Sequence, residues 1–102
     1  MKQKQYDLDE LIEEATVDCY DEYECRVGFL TMIQDNLQTP FTAKLNKHTI
    51  TVGDINGNDR VIKAIINDGD KTYSVDILDL EINDQVGGFE WVAAYRKWEK
   101  EG

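Results

Sequence analysis

One proline, one histidine, one serine and only two cysteines set the first limits on this 102-residue chain. The cysteines, Cys19 and Cys25, form no CxxC motif, and with His48 as the sole imidazole a zinc site is not indicated. The single serine, Ser74, falls in a strand-like stretch, so no Ser–His–acid set is in view, and no Gly-rich phosphate loop precedes a helix. Paired carboxylates are so numerous that none is singled out for acid–base work, and an enzyme is not expected. Positive charge is scarce: 11 basic residues stand against 21 acidic ones, for a net charge of -10. Such a chain lacks the cations that neutralise phosphates, so nucleic acid is excluded as a general ligand, and an anionic membrane surface would repel it. No apolar run approaches the roughly 18 residues of a membrane span. The opening Met1-Lys2-Gln3-Lys4 leads into a charged stretch rather than a leader's apolar core, which points to the cytoplasm and to reduced thiols. The partners left open are cations and a basic surface on another protein.

What is present is a single domain, residues 1–102, with 41% apolar residues to build a core. Residues 1–6 read as a short tail. Helical periodicity covers 7–38: Leu8, Leu11, Ile12, Ala15, Cys19, Tyr23, Val27, Leu30, Ile33 and Leu37 recur at steps of three or four, which places them on one face. The stretch is one long helix or two end to end, with a weak break near Thr16-Val17-Asp18 where Thr16 or Asp18 could cap a second helix. In an unbroken helix Cys19 and Cys25 would diverge by about 240° around the axis, against an internal disulfide. Gly28 lies mid-helix, where close packing on the barrel or the C-terminal helix would explain it. The pattern stops before Pro40.

From Phe41 the period changes to two. Phe41–Leu45, Thr49–Val52, Arg60–Ile66 and Lys71–Ile77 are the strand segments, separated by Asn46-Lys47, Ile55–Asp59 and Asn67–Asp70, with Asn-Gly and Asp-Gly as hairpin signals. Residues 78–88 form a connector holding, at most, a fifth short strand, and 89–100 a final helix whose Trp91 and Trp98 belong to the core. The fold expected is α+β: N-terminal helices and a C-terminal helix packed on a small four- to five-stranded antiparallel, barrel-like sheet over 41–77.

Function enters through the acids. Between Asp7 and Glu24 there is no Lys, Arg or His, and Glu10, Glu14, Asp18, Asp21 and Glu22 would stack as a stripe on a continuous helix. Each like-charge pair at i,i+4 costs about 0.2–0.5 kcal/mol, which a divalent cation would relieve. Asp54-Ile55-Asn56-Gly57-Asn58-Asp59 offers four oxygen side chains in six residues. It is no EF-hand: the glycine precedes the third ligand, Ile65 stands where the bidentate Glu belongs, and strands flank the loop. Calcium suits such irregular oxygen ligands better than magnesium does. The candidate ligands are Asp18, Asp21 and Glu22 on the helix and Asp54, Asn56, Asn58 and Asp59 on the hairpin. Asp35, Asp68 and Asp70 are weaker candidates, better explained by turn chemistry, and Asp76 and Asp79 are weaker ones better explained as outward-facing strand and connector residues.

Asp18–Glu24, Gly28–Leu37 with Pro40-Phe41, Ile77–Leu80 and Glu90–Trp98, taken in order, resemble the CcbP-like family of small acidic calcium-binding proteins from cyanobacteria. The resemblance spans about residues 17–99. It implies Ca2+ binding without EF-hands and, in the cyanobacterial case, buffering of intracellular calcium tied to heterocyst differentiation. The function expected is an intracellular calcium buffer or sensor; the rival reading is an acidic interaction module or nucleic-acid mimic, indifferent to calcium.

Overall fold

In the computed structural model, which describes residues 7–101, the N-terminal helical region is two helices: α1 (Leu8–Ala15) and α2 (Glu22–Asn36). The expected tail, residues 1–6, lies outside the described residues. Asp7 caps α1, its Oδ1 accepting from the Glu10 N–H at 3.1 Å, so the acids of the first turn sit at the favoured end of the dipole. Thr16 ends α1 rather than starting α2: its N–H and hydroxyl both donate to the Ile12 carbonyl, at 3.0 and 2.7 Å. Asp18 takes a left-handed φ of 61° and turns the chain. The cap of α2 is Asp21, whose Oδ1 accepts from the Glu24 N–H at 2.9 Å, while Glu24 Oε2 reaches back to the Tyr20 N–H at 3.2 Å. This reciprocal bonding is a capping box displaced by one residue. The expected continuous acidic stripe is therefore broken between Glu14 and Asp21.

The break also resets the helical phase. On α2 the buried residues are Arg26, Phe29, Leu30 and Ile33, while Tyr23 and Val27, expected on the same inward face, are exposed. A Cβ on Gly28 would collide with the Ala15 carbonyl, so this glycine serves the α1–α2 contact and not the sheet or the last helix.

Four strands follow: β1 (Phe41–Leu45), β2 (His48–Gly57), β3 (Ile62–Asp68) and β4 (Lys71–Asp76), antiparallel in the order β1-β2-β3-β4. The sheet is open, not barrel-like, because β1 and β4 never pair. No fifth strand forms among the described residues; the connector contributes one bridge, Lys44 to Glu81, and a single 3-10 turn at Ile77–Asp79 capped by Asp76. Inward residues alternate on β3 as Ile62, Ala64 and Ile66. On β2 the inward residues Val52 and Ile55 are three apart, because Gly53 is inserted as a bulge that shifts the register between Val52 and Asp54. The bulge turns Asp54 and Asn56 to the outer face and returns Ile55 to the core.

The final helix, α3 (Phe89–Glu101), packs against α1 and α2, and together they cover one face of the sheet. Phe29, Tyr95 and Trp98 meet at centroid distances of 5.3 to 6.1 Å, and Trp91 and Val92 are buried beside them. Gln34 Nε2 donates to the Ile55 carbonyl at 3.0 Å and fixes α2 on β2.

Candidate metal centre

The α1–α2 linker, the first turns of α2 and the β2–β3 turn come together around a groove of about 620 Å³. Its polar rim is Asp21, Glu24 and Asp59 and its apolar wall Tyr23 and Val27, with Cys19 and Gly28 completing the lining; no basic residue lines it. Asp21 and Asp59 are 38 positions apart in sequence and reach one groove because α2 lies along β2.

Asp59 is anchored from below. Arg26, only 8% exposed, donates from Nη1 to the Asp59 carbonyl at 2.9 Å and from Nη2 to Glu99 Oε1 at 2.7 Å. Its guanidinium lies 5.3 Å from the Trp98 ring centroid. Burial pulls the Arg26 pKa down, but its hydrogen bonds to Glu99 and Tyr95 outweigh that and hold it above the usual value. Tyr95, whose hydroxyl donates to Glu99 Oε2 at 3.3 Å, is pushed up to about 12, chiefly by burial. The Arg26 charge is thus matched by Glu99 beneath the groove, leaving the carboxylates above without an internal cation.

The seven sequence-derived candidates divide. Asp21 and Asp59 line the groove. Asp18 and Glu22 are exposed beside it, in the linker and at the first residue of α2. Asp54 and Asn56 lie within β2 rather than in a turn, with side chains engaged by the Ile55 and Gly57 N–H groups at 2.8 Å. The turn itself is Asn58 to Val61, where Asn58 Oδ1 accepts from the Arg60 and Val61 N–H groups at 2.8 and 3.1 Å. Glu24, which is not among the seven, also lines the groove, brought there by the Asp21-x-x-Glu24 spacing of the helix cap.

Cys19 and Cys25 meet, since the helix that would have separated them is interrupted. The Cys25 thiol is pushed up to about 11 by burial, by a hydrogen bond with Cys19 and by the charges of Cys19, Asp21 and Glu24. The helical separation expected to keep them apart is thus absent, and both are free thiols in the structure.

The donor set fits calcium in kind, being carboxylate oxygen with no imidazole. Asp21 and Glu24 each commit one oxygen to the cap and keep the other. The set is not gathered on one point: no three Asp, Glu, Cys or His side chains are close enough to share an ion among the described residues. Among these residues, too, no helix is long and apolar enough to cross a membrane.

The fold has been seen before. A calcium-binding protein solved in its calcium-binding form superposes with a TM-score of 0.80 over 97% of this chain and 94% of its own, at 24% identity. The crystal structure of Anabaena CcbP superposes with a TM-score of 0.76 over 97% and 95%, also at 24% identity. No functionally curated protein matches the sequence. The model of the CcbP calcium-binding family matches residues 9–98, nearly the whole chain. The chain belongs to that family, and Ca2+ is the ion the family assigns to it.

Proposed function

We propose that this chain is a non-EF-hand calcium buffer of the cytoplasm, and that Asp21, Glu24 and Asp59 are the side chains that hold the ion. The observation that carries the reading is that all three border one groove that no basic residue lines. Three uncompensated carboxylates concentrate cations locally. Bound there, Ca2+ would supply the charge that offsets their mutual repulsion. Asp18 and Glu22 add field from the rim. Asp54, Asn56 and Asn58 play a lesser part, shaping the hairpin that presents Asp59.

Because the carboxylates are dispersed, loading draws the β2–β3 turn and the N-terminus of α2 together. A larger, flexible coordination shell tolerates such a set, which favours calcium over magnesium. The two free thiols agree with a reducing compartment. The heterocyst role that the resemblance implies for the cyanobacterial case is not carried over; the proposal stops at buffering. Calorimetry with both ions is the test. Calcium should bind and raise Tm, as a ligand of the native state must, with magnesium weaker by about tenfold. Equal, millimolar-or-weaker affinity for both ions would reduce the acids to a diffuse charge effect and favour the rival reading of an acidic interaction module.

A further inference from the structure

Among the described residues, six large apolar side chains stand exposed, and four of them fall within one short stretch: Val17, Tyr20, Tyr23 and Val27. Tyr20 is 92% exposed. Tyr23 and Val27 are one helical turn apart and wall the groove whose rim is Asp21, Glu24 and Asp59. Apolar residues scattered singly need no explanation, whereas a cluster rimmed by charge marks a contact surface. An ion alone does not account for it: calcium neutralises the carboxylates and leaves the Tyr and Val side chains wet.

The rim states what the second occupant must carry. It is wholly negative on a chain of charge -10, so another copy of this chain, an anionic lipid or a nucleic acid would each be repelled. A segment that brings Lys or Arg to the carboxylates and an apolar side chain to Tyr23 and Val27 meets both demands. Arg in particular can stack on a tyrosine face while bonding a carboxylate. We propose that this groove docks a short basic segment of a partner protein, studded with apolar residues, in competition with calcium. The competition rests on the calcium reading above, because both occupants need Asp21, Glu24 and Asp59. Linkage then makes the antagonism reciprocal: calcium releases the partner, and the partner lowers calcium affinity by the same factor.

The test uses the full chain and two fluorescein-labelled peptides, one patterned as an amphipathic Leu–Lys helix and one carrying the same charge on lysine alone. In calcium-free buffer at physiological salt, anisotropy should show the Leu–Lys peptide binding about tenfold more tightly. Saturating calcium should weaken it by about tenfold or more. The double variant Tyr23→Ser, Val27→Ser alters exposed side chains only. It should weaken peptide binding by about tenfold while calorimetric calcium affinity stays within about twofold. Equal binding of the two peptides, or binding indifferent to that double variant, overturns the docking site even if calcium binds normally. Peptide binding that needs Tyr23 and Val27 but coexists with a flat calcium titration upholds the docking site and sinks the shared ion. Self-association in sedimentation that the double variant abolishes, with no peptide binding, overturns it in favour of a second copy.

Discussion

Two acidic hairpin turns sit at opposite ends of the sheet and differ in the company they keep. The β2–β3 turn has its Asp59 carbonyl tied to Arg26 on α2, and its Asp59 faces Asp21 and Glu24 across a groove. At the β3–β4 turn Asp68 and Asp70 are just as acidic, yet they stand exposed and make no side-chain hydrogen bond or ion pair among the described residues. The difference teaches that carboxylate content does not make a site. A second element must bring acids distant in sequence to the same place, and here that element is α2.

The comparison breaks most visibly at Arg26. Arg26→Ala leaves Glu99 without its ion pair and the Asp59 carbonyl without its donor in a site where the two side chains are 9% and 27% exposed. The loss should be about 3 kcal/mol, or about 15 °C in Tm. Calcium affinity should fall as well, because Asp59 is released. By contrast Asp9→Ala, which cuts the exposed Lys97–Asp9 pair at 2.7 Å, should leave Tm unchanged. If the two variants melt alike, Arg26 is not the anchor of the first turn.

Alkaline pH attacks the same anchor. Burial first, then the charges of Glu99 and Asp76, push Tyr95 from 10.0 to about 12 against the opposing pull of Arg26. The folded pKa is raised, so the stabilisation is complete below the unfolded value and is lost as pH rises through the folded one. A loss of about 2 kcal/mol is expected between about pH 10 and pH 12. Cys25, pushed from 9.0 to about 11, adds a loss of the same sign starting near pH 9. Hydrogen exchange should report the opening at Asp59 before Gly69; the reverse order would place the alkaline-sensitive network elsewhere.

Calcium itself separates the turns. Glu24→Gln with Asp59→Asn should weaken binding by about tenfold or more, while Asp68→Asn with Asp70→Asn, an identical change in net charge, should alter it by less than about twofold at physiological salt. Equal losses from the two pairs would mean that the ion feels total charge alone.

Much of this frame was legible in the residues. The period-two stretches and the Asn-Gly and Asp-Gly turns marked the meander, and the Phe89–Glu101 helix with its tryptophans was found to within a residue. The break between α1 and α2 was marked, at Thr16-Val17-Asp18, but only weakly, because three-and-four spacing runs straight through it; the Asp21-x-x-Glu24 cap that starts α2 went unread. Carrying that spacing across the break put Tyr23 and Val27 inside and left Arg26 unremarked. Arg26 could not be read as buried, since what permits its burial is Asp59 and Glu99, 33 and 73 positions away. On β2, alternation misplaces Asp54 unless Gly53 is recognised as a bulge.

The smallest effect isolates the second turn. Asp68 pairs with Lys71, so Gly69 and Asp70 form a two-residue loop, and Gly69 takes φ +61° with open space around its Cβ position. Gly69→Ala therefore meets no neighbour and costs only backbone strain, about 1 kcal/mol. Tm should fall by about 5 °C. Calcium affinity should not change, because this turn shares no contact with the groove. A calcium titration altered by Gly69→Ala would connect the two ends of the sheet and remove the contrast between the turns, whereas an unaltered one would confine ion binding to the end that α2 reaches.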